Sequence, residues 1–460
     1  MGARNVVVLA AGKGTRMRSR RPKVLHRIAG RSLIERVLSS SAAIEPRMTT
    51  VVLGHMAEEI KQTVGARPSL TFALQEPQLG TAHALQQTDS HFADKTGSVV
   101  VLSGDVPRLR PATLLSLVEH HEQTAAACTM LTTTLDRPYG YGRVIRSQGE
   151  LVGVVEEADA TAEQRKIREI NGGIYVFELE PLFKALAQIP EAGPKHERYL
   201  PAIIPLYRQQ GLIATTFPAT DSDEIRGINS QTELAEVSGM VRRAKNEELM
   251  GSGVTIENPA TTYVDDDVRV GADTVIHPGV MLEGQTTVGE RCELHSGVRV
   301  VDSAIGDDVT IRNHCIVTES SLGSGTVIGP FAHLRPGSKL ETNTRVGNFV
   351  ELKKTTLGEG SKANHLSYLG DATVGRNVNI GAGTITCNYD GREKHETCLE
   401  DGVFIGSGSQ LVAPITVGRD GYVAAGSCIT EDVPADALAI TRGRQTTKTG
   451  WVVGRKGDGE

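Results

Sequence analysis

The chain has 460 residues, enough for two or three domains that each bury a full core. Its formal net charge of −6 argues against general nucleic-acid binding, and no stretch approaches the roughly 20 apolar residues that span a bilayer. The apolar run in MGARNVVVLAAGKG is too short for a secretory signal, so a soluble, cytoplasmic protein with no membrane span is expected.

Asn5 to Ala10 is a Val-rich run that reads as a strand buried on both faces, the habit of parallel sheets covered by helices. Similar runs follow at Thr50–Leu53, Ser98–Leu102 and Gly173–Phe177, with helical patterns at Ser32–Ser40 and Pro111–His121 between them. This alternation predicts an α/β three-layer domain over residues 1–229. Residues 230–250 read as one long linking helix, with Ser230 and Glu233 as a capping box.

The pattern then changes. Val270, Ile276, Leu282, Val288, Leu294 and Val300 recur every sixth residue. Six is not a multiple of the helical turn but is three strand periods, which suits short strands separated by turns. With one-residue slips the hexad continues through Ile305, Leu322, Leu357 and Val374 to Ile380, and resumes from Ile405 to Ile429. Residues 251–460 therefore read as a parallel β-helix of roughly nine or ten coils. The low aromatic content of 4% and the 50 glycines fit its narrow interior and tight corners. The register breaks between about Thr384 and Gly402, a polar insertion of the kind that collects on a binding face. After Thr441 the tail is basic, with Arg442, Arg444, Lys448, Arg455 and Lys456.

Six scattered cysteines without CxxC spacing predict free thiols in a reducing compartment. Cys387 has no Cys-His-Asp arrangement to make it a nucleophile. Apart from His365, the twelve other histidines show no paired spacing that predicts a transition-metal site.

Two stretches carry chemistry. The loop Leu9-Ala-Ala-Gly-Lys-Gly-Thr-Arg-Met17 follows the first strand, where open α/β sheets bind ligands. Gly12 and Gly14 allow close backbone approach to a phosphate or base, and Arg16, Arg20, Arg21 and Lys23 supply fixed cations. The loop matches neither a P-loop nor GxGxxG. With RPKVLH, QEPQLGTAHA (75–84), SGDVP (103–107), GYGR (140–143), VVEEADAT (154–161), EINGGIY (169–175) and GIN (227–229) in order, this half resembles the sugar-nucleotide pyrophosphorylases. The resemblance implies attack of a sugar 1-phosphate on the α-phosphate of a nucleoside triphosphate. It implies Arg16 and Lys23 as catalytic cations and Asp105 and Asn229 as ligands of Mg²⁺. Leu9, Ala10, Ala11, Gly12, Ser103 and Gly104 would line the nucleotide site; Gln75, Gly80 and Thr81 would read the uracil, and Gly142, Glu156 and Asn171 the sugar. Two departures touch the sugar site: Ser103 stands where many relatives carry an aromatic residue, and Pro201-Ala202 where a Thr-Asp pair is expected.

The second stretch is NHLSYLGD (364–371) with NVNIGAGTITCNYDG (377–391) after it, and RPG (335–337) and VGNFVELKK (346–354) before it. Amine acetylation needs a base for the proton of the attacking nitrogen, and imidazole is the side chain whose ordinary pKa suits that task. Over essentially its whole length the chain resembles the bifunctional N-acetylglucosamine-1-phosphate uridyltransferase and glucosamine-1-phosphate N-acetyltransferase family. That family implies a left-handed β-helix behind a Rossmann-like nucleotidyltransferase domain, and His365 as the acetyl-transfer base. Arg335, Lys353, Tyr368 and Asn379 would hold glucosamine-1-phosphate; Ala382, Asn388, Tyr389, Ser407, Ala425 and Arg442 would line the acetyl-CoA site. Acetyl-CoA and UTP are the implied co-substrates, and a homotrimer is implied, with the basic tail reaching a neighbour's CoA phosphates. The residues alone leave two alternatives open: a pyrophosphorylase whose β-helix serves only assembly or regulation, and a solenoid that is a binding rod.

Overall fold

The computed structural model describes residues 2–92, 94–192 and 196–455 and divides into two compact units, Met1–Val241 and Arg242–Glu460. Lys456 and the side chain of Arg455 lie outside the described residues.

In the first unit the strands run in the order Ala214–Pro218, Cys128–Thr134, Glu169–Glu178, Ser98–Ser103, Arg4–Leu9, Met48–Leu53 and Leu70–Leu74. Glu169–Glu178 is antiparallel to both neighbours, and the other pairs on this path are parallel. The Val-rich runs form strands because both of their faces are covered. Val7, Val52, Val99 and Val101 enter one core cluster, while Val6, Val8, Val51, Val100 and Leu102 enter the cluster on the opposite face. The first strand has Met48–Leu53 on one side and Ser98–Ser103 on the other, so chain order reverses across it. A crevice opens at the carboxyl ends of such strands. The helix Leu33–Ser41 carries a complete capping box between Ser32 and Glu35. The expected box at the other long helix is also present. The Ser230 and Glu233 side chains exchange bonds with each other's backbone N–H groups at 3.2 and 3.1 Å, at the start of Gln231–Gly251.

In the second unit three short strands make each turn of a left-handed parallel β-helix. One column of inward residues runs Ile256, Ile276, Leu294, Ile311, Ile328, Val346, Ala363, Ile380, Ile405, Val423 and Ala439, along a sheet of 11 strands. The hexad is thus the side of a coil, and its one-residue slips are corners shortened by a residue. The Ile, Leu and Val members are buried, each side chain contributing about 1.5–3 kcal/mol of apolar transfer free energy. The corners are held by buried Ser and Thr hydroxyls bonded to carbonyls, such as Thr274 to Gly289 at 2.9 Å and Ser361 to Gly375 at 2.7 Å.

The insertion is shorter than the sequence suggested. Ile385–Cys387 and Thr397–Leu399 are ordinary coil strands, so only residues 388–396 leave the helix, with a Tyr389–Lys394 bridge across them. The hexad looked broken because Thr386, in register with Leu411, points inward where an aliphatic is expected, and because residues 388–396 displace the count before it resumes at the buried Leu399, in register with Val374 and Val417. Thr386 can sit there because its hydroxyl accepts from the Gly370 N–H at 2.8 Å and donates to the Gly370 carbonyl at 3.1 Å.

All six cysteines are free. Burial pushes the Cys387 thiol up, away from the thiolate a nucleophile needs.

Candidate active sites

The crevice of the first unit is a cavity of about 690 Å³. Of the residues that the resemblance implies for this half, Leu9, Ala10, Ala11, Gly12, Arg16, Lys23, Gln75, Gly80, Thr81, Ser103 and Asp105 line it. Gln78, Glu197 and Tyr199 line it too, and the sequence reading gave them no role. The glycine loop turns through Gly14, whose φ of 59° is left-handed, into the short helix Thr15–Met17.

Cations and oxygens converge on one side. The Lys23 ammonium pairs with Asp105 and bonds the Asn229 side-chain oxygen at 3.1 Å, and Arg16 reaches the same oxygen at 2.9 Å. Asp105 and Asn229 are neighbours because the Ile228 N–H donates to the Asp105 carbonyl at 3.0 Å. Two hard oxygen donors therefore already surround a cation, here an ammonium, which is the donor chemistry Mg²⁺ prefers.

Opposite, Gln75 is buried and donates to the Gly80 carbonyl at 2.9 Å, while Thr81 accepts from the Leu200 N–H at 2.9 Å. Gly80 has φ 95°, and a Cβ there would stand 2.5 Å from the Arg198 carbonyl oxygen, so only glycine fits. Gly104, Gly142, Glu156, Asn171 and Asn229 are not among the lining residues; Asn229 reaches the cavity's edge through its bonds to Lys23 and Arg16. Gly104 closes the strand ends, donating to the Leu9 carbonyl at 3.0 Å. Gly142, Glu156 and Asn171 form an adjoining group. Asn171 N–H donates to the Gly142 carbonyl at 2.9 Å, and the Asn171 side chain accepts from Gly173, whose carbonyl takes the Ser103 hydroxyl at 3.2 Å. Burial, and Asp159 after it, pushes the Glu156 carboxyl up. Burial, then Glu197, Glu156 and Asp159, pushes Tyr199 up to about 12.

In the second unit His365 ends the strand Lys362–His365, in register with Asn348. Its Nδ1 lies 2.9 Å from the Asn348 side-chain oxygen. That acceptor assigns the proton to Nδ1 and leaves the Nε2 lone pair facing outward. A cationic group stands on the neighbouring face. Arg335 bonds Glu351 at 2.8 Å, Lys353 lies 3.8 Å from Asp371, and Asp371 accepts from Asn388. The Lys353 side chain holds the Lys394 ammonium below its usual range. Two ammoniums that share the single carboxylate of Asp371 make a site that a further anion would relieve. Lys394 was missed by the sequence reading, since it sits in an insertion with no repeat to index it. The Tyr368 hydroxyl lies over Gly370 beside Asn388, and no side chain would fit beneath it. Asn379 holds a strand position with its N–H on the Val403 carbonyl at 3.0 Å.

The proposed acetyl-CoA residues largely form a column. Gly383 N–H donates to the His365 carbonyl at 3.3 Å, Gly408 to Ala382 at 2.7 Å, Gly426 to Ser407 at 2.8 Å, and Arg442 to the Ala425 carbonyl at 3.0 Å. His365, Ala382, Ser407, Ala425 and Arg442 thus mark one corner of successive coils. Asn388 and Tyr389 stand in the insertion, Asn388 buried and Tyr389 exposed. The insertion keeps its shape through Asp390, which accepts from Arg392 and Glu393 at 2.7 and 2.8 Å and lies 2.8 Å from His395.

Residues 6–176 match the family of MobA-like NTP transferase domains, and 262–340 match the GMPPB C-terminal domain. A protein of Heliobacterium modesticaldum is 46% identical over 460 residues, covering 100% of both chains. One of Trichlorobacter lovleyi is 44% identical over 454 residues (98% of this chain, 99% of its own), and one of Geobacter metallireducens 45% over 469 (98% of each). All three are named Bifunctional protein GlmU. With identity of this order along both units, the chain belongs to the bifunctional GlmU family.

Proposed function

We infer that the chain makes UDP-N-acetylglucosamine, a bacterial cell-wall precursor, as a bifunctional acetyltransferase and uridyltransferase, with uridylyl transfer in the first unit and acetyl transfer in the second. The observation that carries the reading is that one chain holds both an Arg16–Lys23–Asp105–Asn229 constellation at the strand crevice and a carboxamide-oriented histidine beside paired lysines.

Acetyl transfer comes first in this reading. The phosphate of glucosamine-1-phosphate binds Arg335, Lys353, Tyr368 and Lys394, with Asn379 alongside. Its amine nitrogen attacks the thioester carbonyl of acetyl-CoA, which lies along Ala382, Ser407, Ala425 and Arg442 with Asn388 and Tyr389 over it. Nε2 of His365 takes the amine proton, the C–S bond breaks, and CoA leaves as its thiol. In the first unit a phosphate oxygen of the N-acetylated product attacks the α-phosphorus of UTP, and the bond to the β-phosphate breaks to release pyrophosphate. Arg16 and Lys23 neutralise the leaving group, while Gln75, Gly80 and Thr81 hold the base and Gly142, Glu156 and Asn171 the sugar. Asp105 and Asn229 suit Mg²⁺, which when bound supplies charge to the phosphates.

A coupled assay with glucosamine-1-phosphate, acetyl-CoA and UTP tests this. Mass spectrometry should show N-acetylglucosamine-1-phosphate and then UDP-N-acetylglucosamine, and absence of the acetylated intermediate would refute the acetyl-transfer half. Lys394→Ala is expected to raise the KM for glucosamine-1-phosphate and leave kcat near wild type, as loss of ground-state phosphate binding requires. An unchanged KM would remove Lys394 from the site.

Three copies are proposed to assemble. Phe331 and Phe349 stack 5.4 Å apart on successive coils with Leu366 on the next, and they are 48%, 56% and 62% exposed. Such an apolar ladder beside His365 supports burial against a second copy. Equilibrium sedimentation should give three times the 49.2 kDa chain mass, and a monomer would overturn the assembly. No helix among the described residues is long and apolar enough to cross a membrane, and the substrates proposed are those of the cytoplasm.

A further inference from the structure

Among the histidines outside the acetyl-transfer site, two are brought together where the sequence showed no pairing. His277 and His295 are 18 residues apart, one coil, and each directly follows an inward-facing hexad residue. Their backbones are fixed by ladder bonds, His277 N–H to Leu294 at 2.9 Å and His295 N–H to Ile311 at 2.9 Å. The rings stack with centroids 4.8 Å apart and 5° between planes. Nε2 of His277 lies 3.2 Å from Oε1 of Glu293, and Nε2 of His295 lies 3.5 Å from the same oxygen. Nδ1 of His277 lies 3.0 Å from Glu257, on the preceding coil.

Protons alone satisfy this group awkwardly. One carboxylate oxygen would take an N–H from each ring, and His277, donating to Glu257 as well, would carry both ring protons. A divalent cation resolves the arrangement. Glu257 then fixes the proton on Nδ1 of His277, as outer carboxylates do for metal-bound imidazoles, and leaves its Nε2 lone pair toward Glu293 and His295. We propose that His277, Glu293 and His295 bind one divalent transition metal of the zinc class on the surface of the β-helix, linking adjacent coils. Two imidazoles and a carboxylate suit Zn²⁺ and its neighbours better than Mg²⁺ or Ca²⁺, and three protein ligands leave a position for water. The three candidate atoms lie within 4.8 Å of one another. Metal–nitrogen bonds of about 2.0–2.1 Å draw them to about 3–3.5 Å. The Glu293 side chain is 48% exposed, and the ladder bonds hold the two histidine backbones in place while their rings turn toward the ion.

The test uses the full chain stripped with a chelator and titrated with Zn²⁺ by calorimetry, and with Co²⁺ by visible absorption. Wild type should bind one equivalent more than the His277→Ala/His295→Ala double variant, with a Co²⁺ d–d band that the variant lacks. Glu257→Gln should keep the stoichiometry and weaken affinity by about 10–100-fold, the usual effect of losing a carboxylate behind a ligand histidine. Uridylyl and acetyl transfer by each variant report that both units remain folded. Equal Zn²⁺ stoichiometry and affinity in wild type and double variant, or no Co²⁺ band in either, overturns the site and leaves an imidazolium between two carboxylates.

Discussion

His365→Ala should lower acetyl transfer by about 10²–10⁴-fold, the usual contribution of a positioned general base, and leave uridylyl transfer at the wild-type rate. The side chain is exposed at the end of a coil strand, and its removal opens no cavity in the core. The loss should therefore appear in kcat, with thermal stability unchanged. Asn348 is the orienting partner, at 2.9 Å from Nδ1. Asn348→Ala should cost less than His365→Ala, because a rotating imidazole still samples the productive direction. CoA thiol release measured beside pyrophosphate release separates the two reactions. Acetyl transfer persisting within a few-fold of wild type in His365→Ala would remove the histidine from the chemistry. Parallel loss of both rates would mean that the substitution acts through folding.

Which features could be read in advance follows from where physical periodicity exists. Val6, Val7 and Val8 announce a strand buried on both faces, and the structure sends them alternately into two clusters. Leu282, Leu294 and Val300 announce a coil, because six-residue spacing has no other economical burial. That logic failed where Thr386 took an inward position, since a hydroxyl satisfied by a neighbouring coil's backbone is invisible to a search for aliphatics. It also failed for His277 and His295, whose spacing has meaning only once the length of a coil is known. Site chemistry was legible mainly through motifs. Nothing in the spacing of Gly142, Glu156 and Asn171 reveals that Asn171 bonds Gly142 and that the Glu156 carboxyl lies against Gly142. The position of Lys394 follows only from the insertion folding back to place its ammonium against Lys353.

Asp105→Ala should produce the complementary loss, lowering uridylyl transfer by about 10²–10³-fold, the scale of removing one preorganised electrostatic group, with acetyl transfer intact. Two explanations of such a loss must be separated. Asp105 is the counter-ion of Lys23, and both side chains are largely buried, 19% and 16% exposed, so its removal leaves an ammonium unpaired. If pairing were its whole role, Lys23→Ala/Asp105→Ala would recover most of the activity lost by Asp105→Ala, because no uncompensated charge remains. If Asp105 instead serves as an oxygen ligand for Mg²⁺ and Lys23 as a cation for the triphosphate, the double variant should be no better than either single one. The second outcome is expected. Asn229 accepts from both Lys23 and Arg16, at 3.1 and 2.9 Å, so these cations share an oxygen partner that polyphosphate oxygens can replace when nucleotide arrives. The Mg²⁺ concentration giving half-maximal rate should then rise in Asn229→Ala and stay unchanged in Gln75→Ala, which contacts neither oxygen. An unchanged Mg²⁺ requirement in Asn229→Ala, or recovery in the double variant, would return Asp105 and Asn229 to a purely structural role around Lys23.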